Sequence, residues 1–294
     1  MVNAGAHDSA QKTPHKKPPV GRVEAGASVG LVVVGVGASA GGLEALQSML
    51  SNLPTDTGMA FVVAQHLSPS YKSMMVDLLE KSSTIPVSSP EHGERLLADH
   101  VYICPPNRNI ELDADDTIAL LSYSEVSHTP RPSVDMLFES IAQIKRDKAV
   151  GIVLSGTGTD GSRGIRAIKG ENGFGIVQDP KDAKFDGMPE SAINSGNVDL
   201  ILQATEIGEE LSQLIHRPRP LEDEDEINVP REIYSGIIFM LKKHCKVDFG
   251  LYKENTILRR IERRMTSLKI PNSTAYLHHL QSHQDEVYLL FNDM

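Results

Sequence analysis

The chain has 294 residues, a net charge of −10, and 40% hydrophobic and 23% charged residues. That length allows one or two domains with a buried core, and the acidic balance argues against nucleic-acid binding. Cys104 and Cys245 are its only cysteines, far apart and without metal-ligand spacing, so neither a disulfide framework nor a metal site is expected.

In chain order, residues 1–27 are rich in Ala, Gly, Pro, Ser and Lys and read as a disordered tail. From 28 to 217 short apolar strands alternate with amphipathic helices. The strands fall at 30–37, 59–66, 100–105, 149–156, 174–179 and 198–202, and the helices at 42–53, 73–82, 133–147, 162–172 and 206–216. This alternation predicts an α/β fold with a doubly wound, mostly parallel sheet. Residues 108–122 read as a hairpin turning at 113-DADD-116. The prolines and acidic run of 218–230 mark a solvated linker. Helical periodicity alone follows, over 231–245, 254–269, 273–283 and 284–294, so a small all-α domain is expected. No apolar run has the length of a membrane span.

The glycine-rich turn in 31-LVVVGVGASAGGLEAL-46 admits three readings. Gly35, Gly37 and Ala40 have the spacing of a dinucleotide-binding turn, but the acidic residue expected at the end of the second strand is absent; that strand ends in Gln65 and His66. The stretch 29–38 has the outline of a secretory signal, diluted by Gly30, Gly35 and Gly37, and its removal would take away a strand. Gly37-Ala38-Ser39-Ala40-Gly41 has the spacing of a nucleophile elbow, with helix-start amides suited to an oxyanion. Serine needs a base, and His66 alone of the 11 histidines closes a buried-looking strand. Asp160, in 154-LSGTGTDGSRG-164, supplies the carboxylate that would orient that base. Each also has an ordinary use: Ser39 and Asp160 as helix caps, His66 as a hydrogen-bonded core histidine. The order Ser, His, Asp, with the serine after the first strand, excludes the α/β-hydrolase fold.

The stretches 35-GVGASAGGLEAL-46, 64-AQHLSPSYKS-73, 101-VYICPPN-107, 132-PSVDMLFESIA-142, 153-VLSGTGTDGSRGIRAIK-169 and 178-QDPKDAKFDGMPESAI-193 together resemble the catalytic domain of bacterial chemotaxis protein-glutamate methylesterases (CheB). The resemblance implies the same α/β sheet and hydrolysis of γ-glutamyl methyl esters on chemoreceptors, with deamidation of receptor glutamines in some members. It places the catalytic serine, histidine and aspartate on Ser39, His66 and Asp160. Oxyanion amides are expected near Ala40 and at Gly156 and Thr157, where family members often carry methionine in place of Thr157. Met188 matches a segment on the substrate side of the site. It is also a helix-start residue suited to packing on the core.

The stretch 249-FGLYKENTILRRIERRMTSLKIPNSTAYLHHL-280 resembles the N-terminal helical domain of chemoreceptor methyltransferases (CheR). Leu258, Ile261, Met265 and Leu268 form its apolar face; Arg259, Arg260, Arg263 and Arg264 lie opposite, either solvated or docking an acidic receptor helix. The whole resembles the front of a methylesterase–methyltransferase fusion without a receiver domain or a transferase domain. The expected protein is a cytoplasmic serine hydrolase acting on methylated chemoreceptor helices, with no cofactor, no metal, no nucleic acid and no membrane insertion. The alternative is a non-catalytic signalling scaffold. A helical domain lying over Ser39 would make the chain autoinhibited.

Overall fold

The structure, a computed structural model, describes residues 30–66, 74–122, 132–216, 229–247, 249 and 254–294. The tail at 1–27 and all but the last two residues of the linker lie outside them. Strands β1 (Val32–Ala38), β2 (Met59–Gln65), β3 (Val87–Ser88), β4 (His100–Ile103), β7 (Ala149–Val153), β8 (Phe174–Gln178) and β9 (Leu200–Leu202) form a 7-stranded sheet. Their order is β3-β4-β2-β1-β7-β8-β9 and every pairing is parallel. The chain winds outward from β1 through β2 to β4, then returns to β7 on the other side of β1. The carboxyl ends of β1 and β7 therefore flank the topological switch point, where open α/β sheets place ligands.

Covered on both faces, the central strands are continuous apolar runs. Val32, Val34 and Val36 pack with Leu46, Met49, Leu50, Ile207 and Leu211 on the side of α1 (Gly42–Leu50) and α6 (Ala204–His216). Val33 faces α3 (Val134–Lys145) and α4 (Ser162–Gly170) on the other side, with Phe138, Ile141, Ile165 and Ile168. The glycines at 35 and 37 belong to this second face. A Cβ on Gly35 would lie 2.9 Å from Phe138 and Ile141, and one on Gly37 would lie 2.2 Å from Val134. Both sit inside the sheet, not in a turn, so they serve helix packing and cannot cradle a dinucleotide. The same strand, paired on both sides, is the segment with the outline of a secretory signal.

The hairpin forms as expected: β5 (Arg108–Asp113) pairs antiparallel with β6 (Thr117–Ser122), with Asp115 and Asp116 at positive φ in the turn. Two elements escaped the sequence reading. One is β3, with only two residues and so no alternation to detect. The other is α5 (Gly187–Asn194), which starts with glycine and carries Pro189 in its first turn, where a helix tolerates it. Helix α2 (Met75–Glu80) is shorter than the predicted 73–82, whose first residue is not among those described.

Helices α7 (Arg231–Cys245), α8 (Glu254–Ser267), α9 (Ser273–Ser282) and α10 (Gln284–Asp293) enclose their own core, in which Ile237, Leu241, Ile257, Ile261, Tyr276 and Leu290 are fully buried. The basic side of α8 departs from expectation. Arg264 is buried and forks onto Glu286 (2.9 and 2.7 Å), which also accepts the Tyr276 hydroxyl (2.9 Å). Arg263, also buried, forks onto Asp199 at the start of β9 and lies over the Phe174 ring at the start of β8. Arg260 leans toward the Lys169 carbonyl at the end of α4 (3.5 Å). Lys169 bridges Asp199 (3.0 Å) and Asp293 of α10 (2.6 Å), and Lys269 reaches Glu210 of α6 (2.8 Å). Arg263 and Arg264 are spent on carboxylates within the chain and Arg260 is half-buried, which leaves Arg259 as the exposed member of the four proposed to dock a receptor. Among the described residues, these contacts place the helical part at the amino ends of β8 and β9, whereas Ser39 lies at the carboxyl end of β1.

Asp199 holds this junction electrostatically. Burial pushes its carboxyl up, but Arg263, Lys169 and the Gly175 amide outweigh that and keep it below the ordinary carboxylate range. Asp199→Asn leaves Arg263 buried without its counter-charge and Lys169 with Asp293 alone, at an expected cost of about 3–5 kcal/mol in urea unfolding. A carboxyl with a depressed folded pKa stabilises above its unfolded value and loses that contribution as pH falls through the folded one. Wild-type stability should therefore drop below about pH 4, and the part of that drop owed to Asp199 should vanish in the variant.

Candidate active site

Three neighbouring strands each end in one residue of the site. Ser39 follows β1, His66 follows β2, and the loop after β7 carries Asp160. The Ser39 hydroxyl lies 3.1 Å from His66 Nδ1, and His66 Nε2 lies 2.9 Å from an Asp160 oxygen. An ionised carboxylate only accepts, so Nε2 carries the proton and Nδ1 presents its lone pair to the hydroxyl. The His66 side chain is 17% exposed and that of Asp160 5%, so the pair is sheltered, and Ser39 is half-buried.

Asp160 is held by a helix as well as by the imidazole. The amides of Val134 (2.8 Å) and Asp135 (3.0 Å), at the start of α3, both donate to its carboxylate, where the helix dipole favours negative charge. Burial pushes the Asp160 carboxyl up, but the His66 hydrogen bond and these amides prevail and hold it below the usual range. Asp135 returns the arrangement: its carboxylate accepts the amides of Gly161 (2.9 Å) and Gly164 (2.8 Å) at the start of α4. Burial lifts the Asp135 carboxyl above its ordinary range, with Asp160 adding repulsion against the Gly164 amide.

The serine turn is built from close contacts. Gly41, the residue before α1, has φ 73, and a Cβ there would lie 2.6 Å from the Ser155 hydroxyl, so only glycine fits. Helix α1 has no side-chain cap, and the Ser39 hydroxyl faces His66 instead of capping. Buried Ser155 donates to the Ala40 carbonyl (2.9 Å) and accepts from the Phe185 amide (3.0 Å), while its carbonyl accepts the Ser39 amide (3.0 Å). Gln65 donates to the Ser39 carbonyl at 2.7 Å.

Among the proposed oxyanion donors, the Gly156 amide is already committed to the Phe185 carbonyl (3.0 Å), so it is withdrawn as a donor. Among the described residues, the amides of Ala40 and Thr157 have no protein acceptor, and Thr157 is exposed at the rim. Met188 is fully buried, with its sulfur 2.2 Å from where a Gly156 Cβ would stand. It packs against the loop at Gly156 as a core residue. Ser155, Gln65 and Asp135 were missed in the sequence. Gln65 alone left a signal, as a polar residue at the end of an otherwise apolar strand.

The profile of the family described as CheB methylesterase matches residues 34–211, and that of the CheR methyltransferase all-alpha domain matches residues 234–294. The chain belongs to the CheB methylesterase family. A Leptospira interrogans protein named putative protein-glutamate methylesterase/protein-glutamine glutaminase is 36% identical over 174 residues, which is 59% of this chain and 90% of that protein. An uncharacterized 104.1 kDa protein of Rhodobacter capsulatus is 35% identical over 243 residues, 75% of this chain but 25% of its own length. The crystal structure of the Thermotoga maritima CheB methylesterase catalytic domain superposes with a TM-score of 0.60 at 31% identity, covering 63% of this chain and 100% of that one. The protein is thus a CheB-type methylesterase, a carboxylic ester hydrolase of the chemotaxis system. Its second match is to an all-alpha domain and not to a methyltransferase catalytic domain. Among the described residues no group of three or more His, Cys, Asp or Glu is placed to hold a metal ion, and no helix is long and apolar enough to cross a membrane.

Proposed function

We propose that the chain removes γ-methyl groups from glutamate esters on chemoreceptor helices in the cytoplasm, with Ser39 as nucleophile, His66 as general base and acid, and Asp160 as the group that orients His66. The hydrogen-bonded sequence from Ser39 through His66 to Asp160, drawn from three adjacent strand ends, carries this reading.

His66 Nδ1 takes the hydroxyl proton as Ser39 attacks the ester carbonyl, and Asp160 stabilises the imidazolium that forms. The tetrahedral oxyanion is received by the amides of Ala40 and Thr157. His66 returns its proton to the departing methoxide, which leaves as methanol. Water then gives a proton to His66 and attacks the acyl-enzyme, freeing glutamate and restoring Ser39. With a glutamine side chain the same steps would release ammonia, in keeping with the glutaminase in the names of the relatives.

The test measures methanol from receptor fragments carrying glutamate methyl esters, and ammonia from the same fragments carrying glutamine. Methanol release is expected. Receptor binding with neither product would overturn the enzymatic reading and favour a scaffold.

A further inference from the structure

We propose that Gln65 is a positioning residue that aims and polarises the Ala40 amide; this rests on the ester hydrolase reading above. Gln65 is buried, and its amide nitrogen donates to the Ser39 carbonyl at 2.7 Å and to the His66 carbonyl at 3.4 Å. Both neighbours are acceptors, so the nitrogen, not the oxygen, must face them. Among the described residues, its Oε1 has no partner.

The Ser39 carbonyl and the Ala40 N–H belong to one peptide. In a trans peptide the two point in opposite directions. Drawing the carbonyl inward onto Gln65, and onto the Gly42 amide at 2.9 Å, therefore turns the Ala40 N–H out toward the reacting centre. A carbonyl that accepts hydrogen bonds also makes its own peptide N–H a stronger donor. The sequence reserves space for this: a Cβ at position 42 would lie 2.4 Å from Gln65 Oε1, so Gly42 admits the side chain. Ser155 fixes the next peptide in the same way, through the Ala40 carbonyl. The side chain bonds the Ser39 and His66 carbonyls and not the Ser39 hydroxyl, so its influence passes through the backbone.

The experiment follows methanol release from a glutamyl γ-methyl ester peptide across neutral to alkaline pH, for wild type, Ser39→Ala, Gln65→Met and Gln65→Glu. Gln65→Met keeps the bulk and removes the donor. It should lower kcat about 10- to 100-fold, less than outright loss of an oxyanion donor, with KM changed less than about twofold. Gln65→Glu is nearly isosteric. Its carboxylic acid donates while protonated and repels the carbonyl once ionised, so its activity should fall with rising pH along a limb that wild type lacks.

Wild-type kcat in Gln65→Met beside an inactive Ser39→Ala would overturn this inference and leave the esterase standing. An equal loss in both Gln65 variants at every pH would overturn it in favour of a packing role. An inactive wild type would overturn the esterase reading and this inference with it.

Discussion

Ser39→Ala lowers the rate of ester hydrolysis by about a million-fold, in the range seen when a serine nucleophile that works as one unit with its base is removed. The substitution deletes the atom that would form the acyl-enzyme. His66 then faces an empty position with no other hydroxyl bonded to Nδ1 among the described residues. A residual acceleration of about 10³–10⁴ over water should survive from the amides and from substrate binding. Stability should hardly change, because the Ser39 hydroxyl caps no helix and is not buried. Steady-state methanol release and urea unfolding on the same preparation separate the two effects. A large loss of stability at unchanged kcat per folded molecule would mean that Ser39 is only a structural turn residue.

Asp160→Asn lowers kcat by about 10⁴-fold while leaving the site's geometry nearly intact. The asparagine amide must place either its oxygen or its NH₂ toward His66. The carboxylate now accepts from His66 Nε2 and from the amides of Val134 and Asp135, all donors. Any NH₂ orientation sets donor against donor. Turned toward His66, it moves the ring proton to Nδ1 and removes the base's lone pair from Ser39. The same change removes a negative charge from the start of α3, at about 0.3–2 kcal/mol of stability. Were Asp160 a cap alone, only that second effect would appear. Stopped-flow acylation rates and thermal unfolding report on the two roles separately.

The sheet was legible because its central strands are buried on both faces, and unbroken apolar runs of five to seven residues between amphipathic helices leave little choice of architecture. Ser39, His66 and Asp160 were legible because each closes such a strand or follows it through a glycine-rich loop. What stayed hidden depends on contacts between segments far apart in the chain. The Gly156 amide is spent on Phe185, a pairing that no local pattern encodes. Met188 admits both a substrate-side and a core reading in the sequence, and its burial against Gly156 favours the core. The arginines of α8 follow the spacing of a solvated face, yet their partners Asp199, Lys169 and Glu286 come from three other places in the sequence. Helical periodicity separates an apolar face from a charged one, but it does not say whether the charged face meets water or buried counter-charges.

The most direct measurement is stoichiometric labelling with a fluorophosphonate, followed by peptide mapping and by methanol release from a methylated receptor fragment. One phosphonyl group on Ser39, with activity lost in proportion to labelling and no labelling of His66→Gln, is the predicted result. Full labelling with methanol release intact, or a label on any other residue, would contradict Ser39 as the nucleophile.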